Sequence, residues 1–435
     1  MRPSLFSSVL AAPTVGAATL SALLIALGDA KSQVRDPGRP ITLHDKNNDG
    51  KISPDEWPRG NFRLIDKNRD GFLTADDFAK HWGVPLPGQA AAGVEAGAAS
   101  AGNPQSCSDE TAVTWIDTHV HVPGRRGQTV NVPAAVEAAA RVMDASGICR
   151  IVLMPVPGMR GHFPPQVLED FLAEARKYPT RFFVMGGGGS LNSMIHDEAP
   201  DGKADDALKA RFARRADTLI ELGAIGFGEV GILHLAAYQG QQFESVAADH
   251  PLLLMLADIT ARHDVVIDVH FDLVMKEIET PRWLPRPPNP PRLKPNLAWF
   301  ERFLRHNPKA KIIWAHLGSD FIGFRTPELT RRMLKDHPNL YMSLRLGPGR
   351  VPSNHPMTNS GIKGDWLRLL EEFPERFVIG TDQIFSLHGG QLTAQHEKQR
   401  KVVRERTNRF LSYLPRKLAR QIAYENAIRI YKLKM

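Results

Sequence analysis

Five residues able to bind a metal stand at the C-terminal ends of short apolar runs: His119 and His121 in WIDTHVH, His270 in VVIDVHFD, His316 in KIIWAHLG and Asp382 in FVIGTDQ. No other feature narrows the fold as far. His119 and His121 are two apart, so on a β-strand both side chains project to one face and can grip one ion, whereas a helix would splay them. The other three follow Val/Ile-rich stretches that read as strands buried on both faces of a parallel sheet. Between the runs lie helical spacings, PAAVEAAARVMDASG from Pro133 and RRADTLIELG from Arg214 among them. Strands alternating with helices predict a parallel α/β fold.

Eight strand starts can be read in order, at Trp115, Ile148, Phe182, Ala224, Val265, Lys311, Leu340 and Phe377. Eight βα units over about 320 residues is the size of a (β/α)8 TIM barrel with modest insertions. In that fold catalytic groups gather at the C-terminal ends of the strands, where the βα loops open onto a common mouth. The five candidates obey this rule on strands one, five, six and eight. A lone histidine after an apolar run is more often a hydrogen-bonded core residue than a ligand. Five residues sharing one polarity are hard to explain that way.

This order of ligands, HxH on strand one, His on strands five and six and Asp on strand eight, resembles the amidohydrolase superfamily. The ending IAYENAIRIYKL, with Asn426 and Tyr431, resembles the closing helix of its amidohydrolase-related branch, which also contains aminocarboxymuconate-semialdehyde decarboxylase. The resemblance runs from about Trp115 to Leu433 and is specific for the superfamily more than for any substrate. It implies that His119, His121, His270 and Asp382 hold an ion, while His316 either orients the attacking water or binds a second metal. Glu229 in AIGFGEVG ends strand four, where related binuclear enzymes have a bridging carboxylate. Its blander role is a hydrogen-bonding group beside a single ion, and the likeness to the mononuclear branch favours one metal.

Neutral imidazoles with a carboxylate suit a borderline divalent ion, zinc first and manganese second, and leave a position open for a water that ionises at about pH 7. Asp382 would then act as both ligand and proton acceptor. Asp117, two residues before the HxH, either fixes an imidazole tautomer or satisfies main-chain groups near the barrel floor. Arg345 follows MSL at the end of strand seven, where an unpaired guanidinium is costly, so it should meet a protein acid or a substrate carboxylate. The insertion after strand five, LVMKEIETPRWLPRPPNPPRLKPN, carries Arg282, Trp283, Arg286, Arg292 and Lys294. It either walls the mouth and draws in anions or is a solvated loop.

An independent motif precedes the barrel. Asp45, Asn47, Asp49, Gly50, Lys51, Ile52, Ser53 and Glu56 occupy the positions of an EF-hand calcium loop, with oxygen ligands at alternate positions, Gly for the sharp turn and a terminal acid. Asp66, Asn68, Asp70, Gly71, Phe72, Leu73, Thr74 and Asp77 repeat the pattern. The apolar residues after each glycine could pair across the loops. Asp77 is one methylene shorter than the usual Glu, which weakens calcium relative to magnesium, and the prolines of DPGRPITLH disfavour a full entering helix. A compact structural or buffering pair is expected over residues 36–82.

Residues 83–112, rich in Gly, Pro and Ala, read as a flexible linker, with the barrel over 113–435. Residues 1–30, with Arg2, an apolar run from Val9 to Leu27 and small residues at Gly28-Asp29-Ala30, read as a secretory signal peptide. The competing reading is an uncleaved anchor, made poor by Pro13 and Gly16. No later stretch is apolar enough to span a bilayer. The two cysteines, Cys107 and Cys149, precede or start neighbouring strands, so an oxidising compartment would favour a disulfide between them over two unrelated thiols.

The net charge of +8 and pI near 9.4 are moderately basic, but the cations are scattered and no aromatic platform accompanies them, so nucleic-acid binding is a weak reading. The sequence therefore leads to a secreted or periplasmic metal-dependent hydrolase of an ester, lactone or amide in a small molecule, anionic or neutral. Its partner would be that substrate, with homodimer formation left open. A non-oxidative decarboxylase of the same barrel family is the alternative. A noncatalytic calcium-dependent binding protein is a third reading, which must explain an intact ligand set.

Overall fold

The computed structural model describes residues 41–434 apart from 42–43, 48, 58–61, 67, 69, 83–106, 108–112, 123–130, 159–167, 348–349, 386, 389–390 and 393. The signal-peptide reading and nearly all of the linker reading fall outside the described residues. The chain divides into two compact units, Met1–Ser100 and Ala101–Met435. Among the described residues no helix is long and apolar enough to cross a membrane.

In the second unit parallel strands alternate with helices: β1 Trp115–His121, α1 Val132–Ser146, β2 Ile148–Met154, α2 Leu168–Ala175, β3 Phe182–Val184, α3 Asp206–Leu222, β4 Gly226–His234, α4 Pro251–His263, β5 Val266–Phe271, α5 Leu297–His306, β6 Lys311–Leu317, α6 Pro327–Asp336, β7 Leu340–Leu344, α7 Gly364–Glu372, β8 Phe377–Ile379 and α8 Ala394–Ser412. Every strand begins within two residues of its sequence-predicted start. Side chains of β1, β2 and β5 are buried along their whole length, as a sheet covered on both faces requires.

The ring closes because two chain segments each pair on both sides. The β3 segment meets β2 through Phe182–Val184 and then β4 through Gly186 and Gly187. The β8 segment meets β7 through Phe377–Ile379, and then Gln383 and Ile384 pair with β1. A TIM barrel results, with the C-terminal strand ends sharing one mouth. Asn426 on the closing helix Asn426–Tyr431 donates to the carbonyls of Pro374 and Phe377 at 2.8 and 2.9 Å, fixing where β8 starts. At the opposite strand ends Cys107 and Cys149 form a disulfide, with Cα atoms 5.2 Å apart.

The insertion after β5 folds back as a short hairpin, Ile278–Glu279 against Arg292–Leu293. Asn289 exchanges hydrogen bonds with the main chain of Ala236 beyond β4, and Trp283 Nε1 donates to the Phe321 carbonyl beyond β6. The hairpin therefore braces two loops at the barrel mouth. Its cations Arg282, Arg286, Arg292 and Lys294 are exposed.

In the first unit Ile52 and Leu73 exchange main-chain hydrogen bonds of 2.9 Å, joining the two acidic loops back to back. Gly50 and Gly71, at φ 85° and 86°, make the left-handed turns that a side chain would strain. Ile52, Ile65, Leu73 and Phe78 form the buried centre of this small unit. Each loop's last acid caps its own turn: Glu56 accepts from the Ser53 N–H and hydroxyl at 2.9 Å, and Asp77 from those of Thr74 at 3.0 and 2.7 Å.

Candidate metal centre

Four imidazoles and two carboxylates from five strands converge at the mouth. The Nε2 atoms of His119 and His121 lie 3.0 Å apart, as the two-residue spacing on β1 demands. Glu229 from β4 stands between them and the next pair. Its Oε2 is 3.2 Å from His121 Nε2 and 3.7 Å from His119 Nε2. Its Oε1 is 2.8 Å from His270 Nδ1 and 2.9 Å from His316 Nε2. Asp382 Oδ1 approaches His121 Nε2 at 3.5 Å.

These atoms fall into three overlapping groups whose ligand atoms lie within 4.8 Å of one another: His119, His121 and Glu229; Glu229, His270 and His316; and His119, His316 and Asp382. Such a sealed set of lone pairs is costly unless a cation balances it. A divalent ion fits the donor set, which holds nitrogens and carboxylate oxygens in the mix that zinc or manganese accepts.

The outer nitrogens are also engaged. His119 Nδ1 lies 3.2 Å from Asp268 Oδ1, His121 Nδ1 lies 3.0 Å from the Met154 carbonyl, and His270 Nε2 lies 3.3 Å from Asp272 Oδ2. An oxygen on the outer nitrogen favours a proton there and leaves the inward nitrogen with its lone pair, the tautomer a metal needs. Asp272 is held in turn by Arg325 at 3.1 Å and by the Leu235 N–H at 2.9 Å. His316 Nδ1 has no hydrogen-bond partner among the described residues.

Electrostatics agree with a site built for positive charge. Burial alone would lower His119, yet the carboxylates of Asp268 and Glu229 raise it well above the usual imidazole range. Burial raises Glu229 and Asp382, but the imidazoles around Glu229 hold it well below the usual range, and Arg345 with His316 holds Asp382 at about 2. Burial drives His316 down to about 3.

The main chain is strained at the same place. His316 and Asp382 adopt left-handed φ of 64° and 55°. For a non-glycine residue this costs roughly 1–2 kcal/mol, and such strain gathers at functional sites. Asp264 and Lys432, also at positive φ, merely end helices.

Several sequence expectations meet their outcomes here. Asp117 does not orient an imidazole. Its carboxylate accepts from the Thr381 N–H at 2.9 Å, the Thr381 hydroxyl at 2.5 Å and the Gln383 amide at 3.1 Å, so it clamps β1 to the segment carrying Asp382. Burial raises this carboxyl to about 6. Arg345 meets a protein acid, Asp382, at 3.2 Å and also donates to the Ser319 hydroxyl at 3.3 Å. Asp268, Asp272 and His234 were not anticipated. The signal for the first two was present, because Asp268, His270 and Asp272, on β5 and just beyond it, repeat the two-residue spacing of Asp117, His119 and His121 on β1.

Asp268→Asn is expected to weaken zinc retention about 10–100-fold, since it loosens the grip on His119. Competition against a chelator of known affinity reads this. Wild-type retention would mean that the contact positions nothing.

The family model described as amidohydrolase matches residues 74–433. The chain belongs to the amidohydrolase family. An EF-hand model matches residues 45–59 and 62–80 of this amidohydrolase. No curated protein matches it. Among solved structures it is similar to a 2,6-dihydroxybenzoate decarboxylase complexed with 2,6-dihydroxybenzoate, at 14% identity over 74% of this chain and 99% of that one, with a TM-score of 0.43. A dihydroxybenzoic acid decarboxylase from Polaromonas sp. JS666, with manganese and the inhibitor 2-nitroresorcinol, gives 14% identity, 74% and 97% coverage and 0.40. A D-hydantoinase gives 13% identity, 72% and 70% coverage and 0.40.

Proposed function

We propose that this amidohydrolase is a two-metal hydrolase of an ester, lactone or amide in a small molecule bearing a carboxylate. One observation carries the reading: the two oxygens of Glu229 face separate imidazole pairs, His119 with His121 and His270 with His316. A carboxylate so divided would serve two ions rather than one, which moves the balance away from the single metal that the sequence favoured.

When bound, the ions would polarise the scissile carbonyl and make a water acidic at neutral pH. The chain's own groups do the rest. His119, His121 and Asp382 would hold one ion and His270 with His316 the other, with Glu229 shared. Asp382, kept ionised by Arg345, accepts the water's proton as the oxygen adds to the carbonyl carbon, and returns it to the leaving oxygen or nitrogen as that bond breaks. Arg345, held between Asp382 and Ser319, has donors left for a substrate carboxylate.

Arg345 also supports a second reading, non-oxidative decarboxylation. There the guanidinium would hold the departing carboxylate beside Asp382, and a proton would replace CO2 on the carbon. Purified protein loaded with zinc or manganese is to be offered aryl esters, lactones, N-acyl amino acids and hydroxylated benzoates in 18O-water. The hydrolase reading expects 18O in a new carboxylate. CO2 release from a benzoate without that label would establish the decarboxylase instead. Silence of the whole panel at full metal content would favour the noncatalytic reading.

Calcium at the EF-hand pair and an exported location belong to the same proposal. The paired acidic loops support the first, and the Cys107–Cys149 disulfide, a bond rare in reducing compartments, supports the second. Asp45→Ala should remove one calcium per chain in equilibrium dialysis and leave the barrel's transition-metal content unchanged. Undiminished calcium would refute the loop assignment.

A further inference from the structure

His234 ends β4 and belongs to none of the ligand groups above. Its ring packs edge-on against His270, with centroids 4.1 Å apart and planes at 69°. Its Nε2 lies 3.2 Å from the side-chain nitrogen of Gln241, whose Oε1 accepts the Ala237 N–H at 2.8 Å. The second bond decides the first. An amide oxygen already accepting from a main-chain N–H leaves the NH2 facing the imidazole, and an NH2 only donates, so His234 Nε2 must accept. The ring proton then sits on Nδ1.

That Nδ1 is sealed from solvent and has no hydrogen-bond partner among the described residues. A buried donor without an acceptor is unfavourable, and native proteins rarely keep one that does nothing. The loop that sets it is firm, because Ala236 is locked to Asn289 in both directions and Gln241 N–H returns to the Tyr238 carbonyl at 3.3 Å. The ring it packs against, His270, is a member of the candidate metal centre, and Asp272 beside it holds His270 Nε2 at 3.3 Å. The donor therefore lies beside the centre.

We propose that His234 is a further catalytic residue whose Nδ1–H donates a hydrogen bond to the reacting oxygen of the substrate, with Gln241 as the residue that fixes its tautomer. This rests on the hydrolytic reading for the identity of that oxygen, a carbonyl oxygen that gains negative charge as water adds. A preset donor of this kind stabilises the developing charge without reorganising. It also selects for substrates with an oxygen acceptor on the β4 side of the carbonyl.

The test uses full-length, zinc-loaded protein labelled with 15N-histidine, and benzoate as the oxygen-bearing probe. Long-range proton–nitrogen spectra, assigned with His234→Ala, should show His234 protonated on Nδ1, and benzoate should shift that signal. Gln241→Glu offers Nε2 an acceptor and should move the proton to Nε2. Both Gln241→Glu and His234→Ala should weaken benzoate roughly tenfold or more with zinc content intact, as expected for loss of a hydrogen bond to a charged group. His234→Asn, which returns an N–H near the Nδ1 position, should recover part of the loss. An Nε2-protonated ring in the wild type, an unmoved signal with benzoate, affinity within twofold in both variants, or zinc lost along with affinity would each overturn the proposal. Failure of the hydrolase reading shows separately, in the 18O panel and the metal count, and leaves the tautomer and benzoate results standing.

Discussion

Replacing Glu229 by Gln will leave at most one transition ion per chain and lower turnover by about a thousandfold or more. The carboxylate touches both imidazole pairs, so its loss removes a group that the two halves of the centre share. Gln keeps the volume, but its amide nitrogen cannot ligate and its N–H would point at imidazole nitrogens meant for metal. Losing one ion forfeits several kcal/mol of charge stabilisation on the reacting oxygen, and about 4 kcal/mol corresponds to a thousandfold in rate. Elemental analysis and turnover on the best panel substrate read the two effects together. Two ions retained by Glu229→Gln would end the bridging role. Two ions in the wild type and one in the variant, with turnover unchanged, would keep the bridge and dismiss its part in catalysis.

The strands and the histidines that follow them were legible because a parallel barrel buries both faces of its strands. Runs such as KIIWA and VVIDV stand out by composition alone, and the HxH at the end of β1 follows from a spacing of two. What joins those residues is not local. Asp117 and Thr381 bond across 264 positions, so nothing near Asp117 distinguished a clamp on β8 from a partner for an imidazole. Glu229 was read as the acid that ends strand four, but β4 runs on from it to His234, and its division between two imidazole pairs depends on β1, β4, β5 and β6 meeting in space. Asp268 lies in an apolar strand and Asp272 directly after it, both buried where charge is expensive, and their alternation with His270 was the available clue. His234 had none, because its meaning comes from Gln241, which lies beyond the exposed turn at Tyr238.

Removing the Cys107–Cys149 disulfide, by Cys107→Ser with Cys149→Ala, will lower the unfolding free energy of the barrel by roughly 4 kcal/mol. The bridge spans a sequence separation of 42, and closing a loop of that length in the unfolded chain accounts for about this amount. Ala suits position 149, which is buried at the start of β2 against the Trp115 main chain, since it leaves no polar atom unsatisfied. Metal affinity should not follow the stability. The bond lies where β1 and β2 begin, whereas the candidate ligands gather at the mouth, and the intervening strand pairing Trp115↔Ile148 through His121↔Met154 is independent of it. Urea denaturation of oxidised and variant protein, each with its zinc content measured, separates the two quantities. An unchanged midpoint and slope would mean that the bond constrains nothing in the unfolded chain, and a large loss of zinc in the folded variant would mean that the two ends of the barrel are coupled.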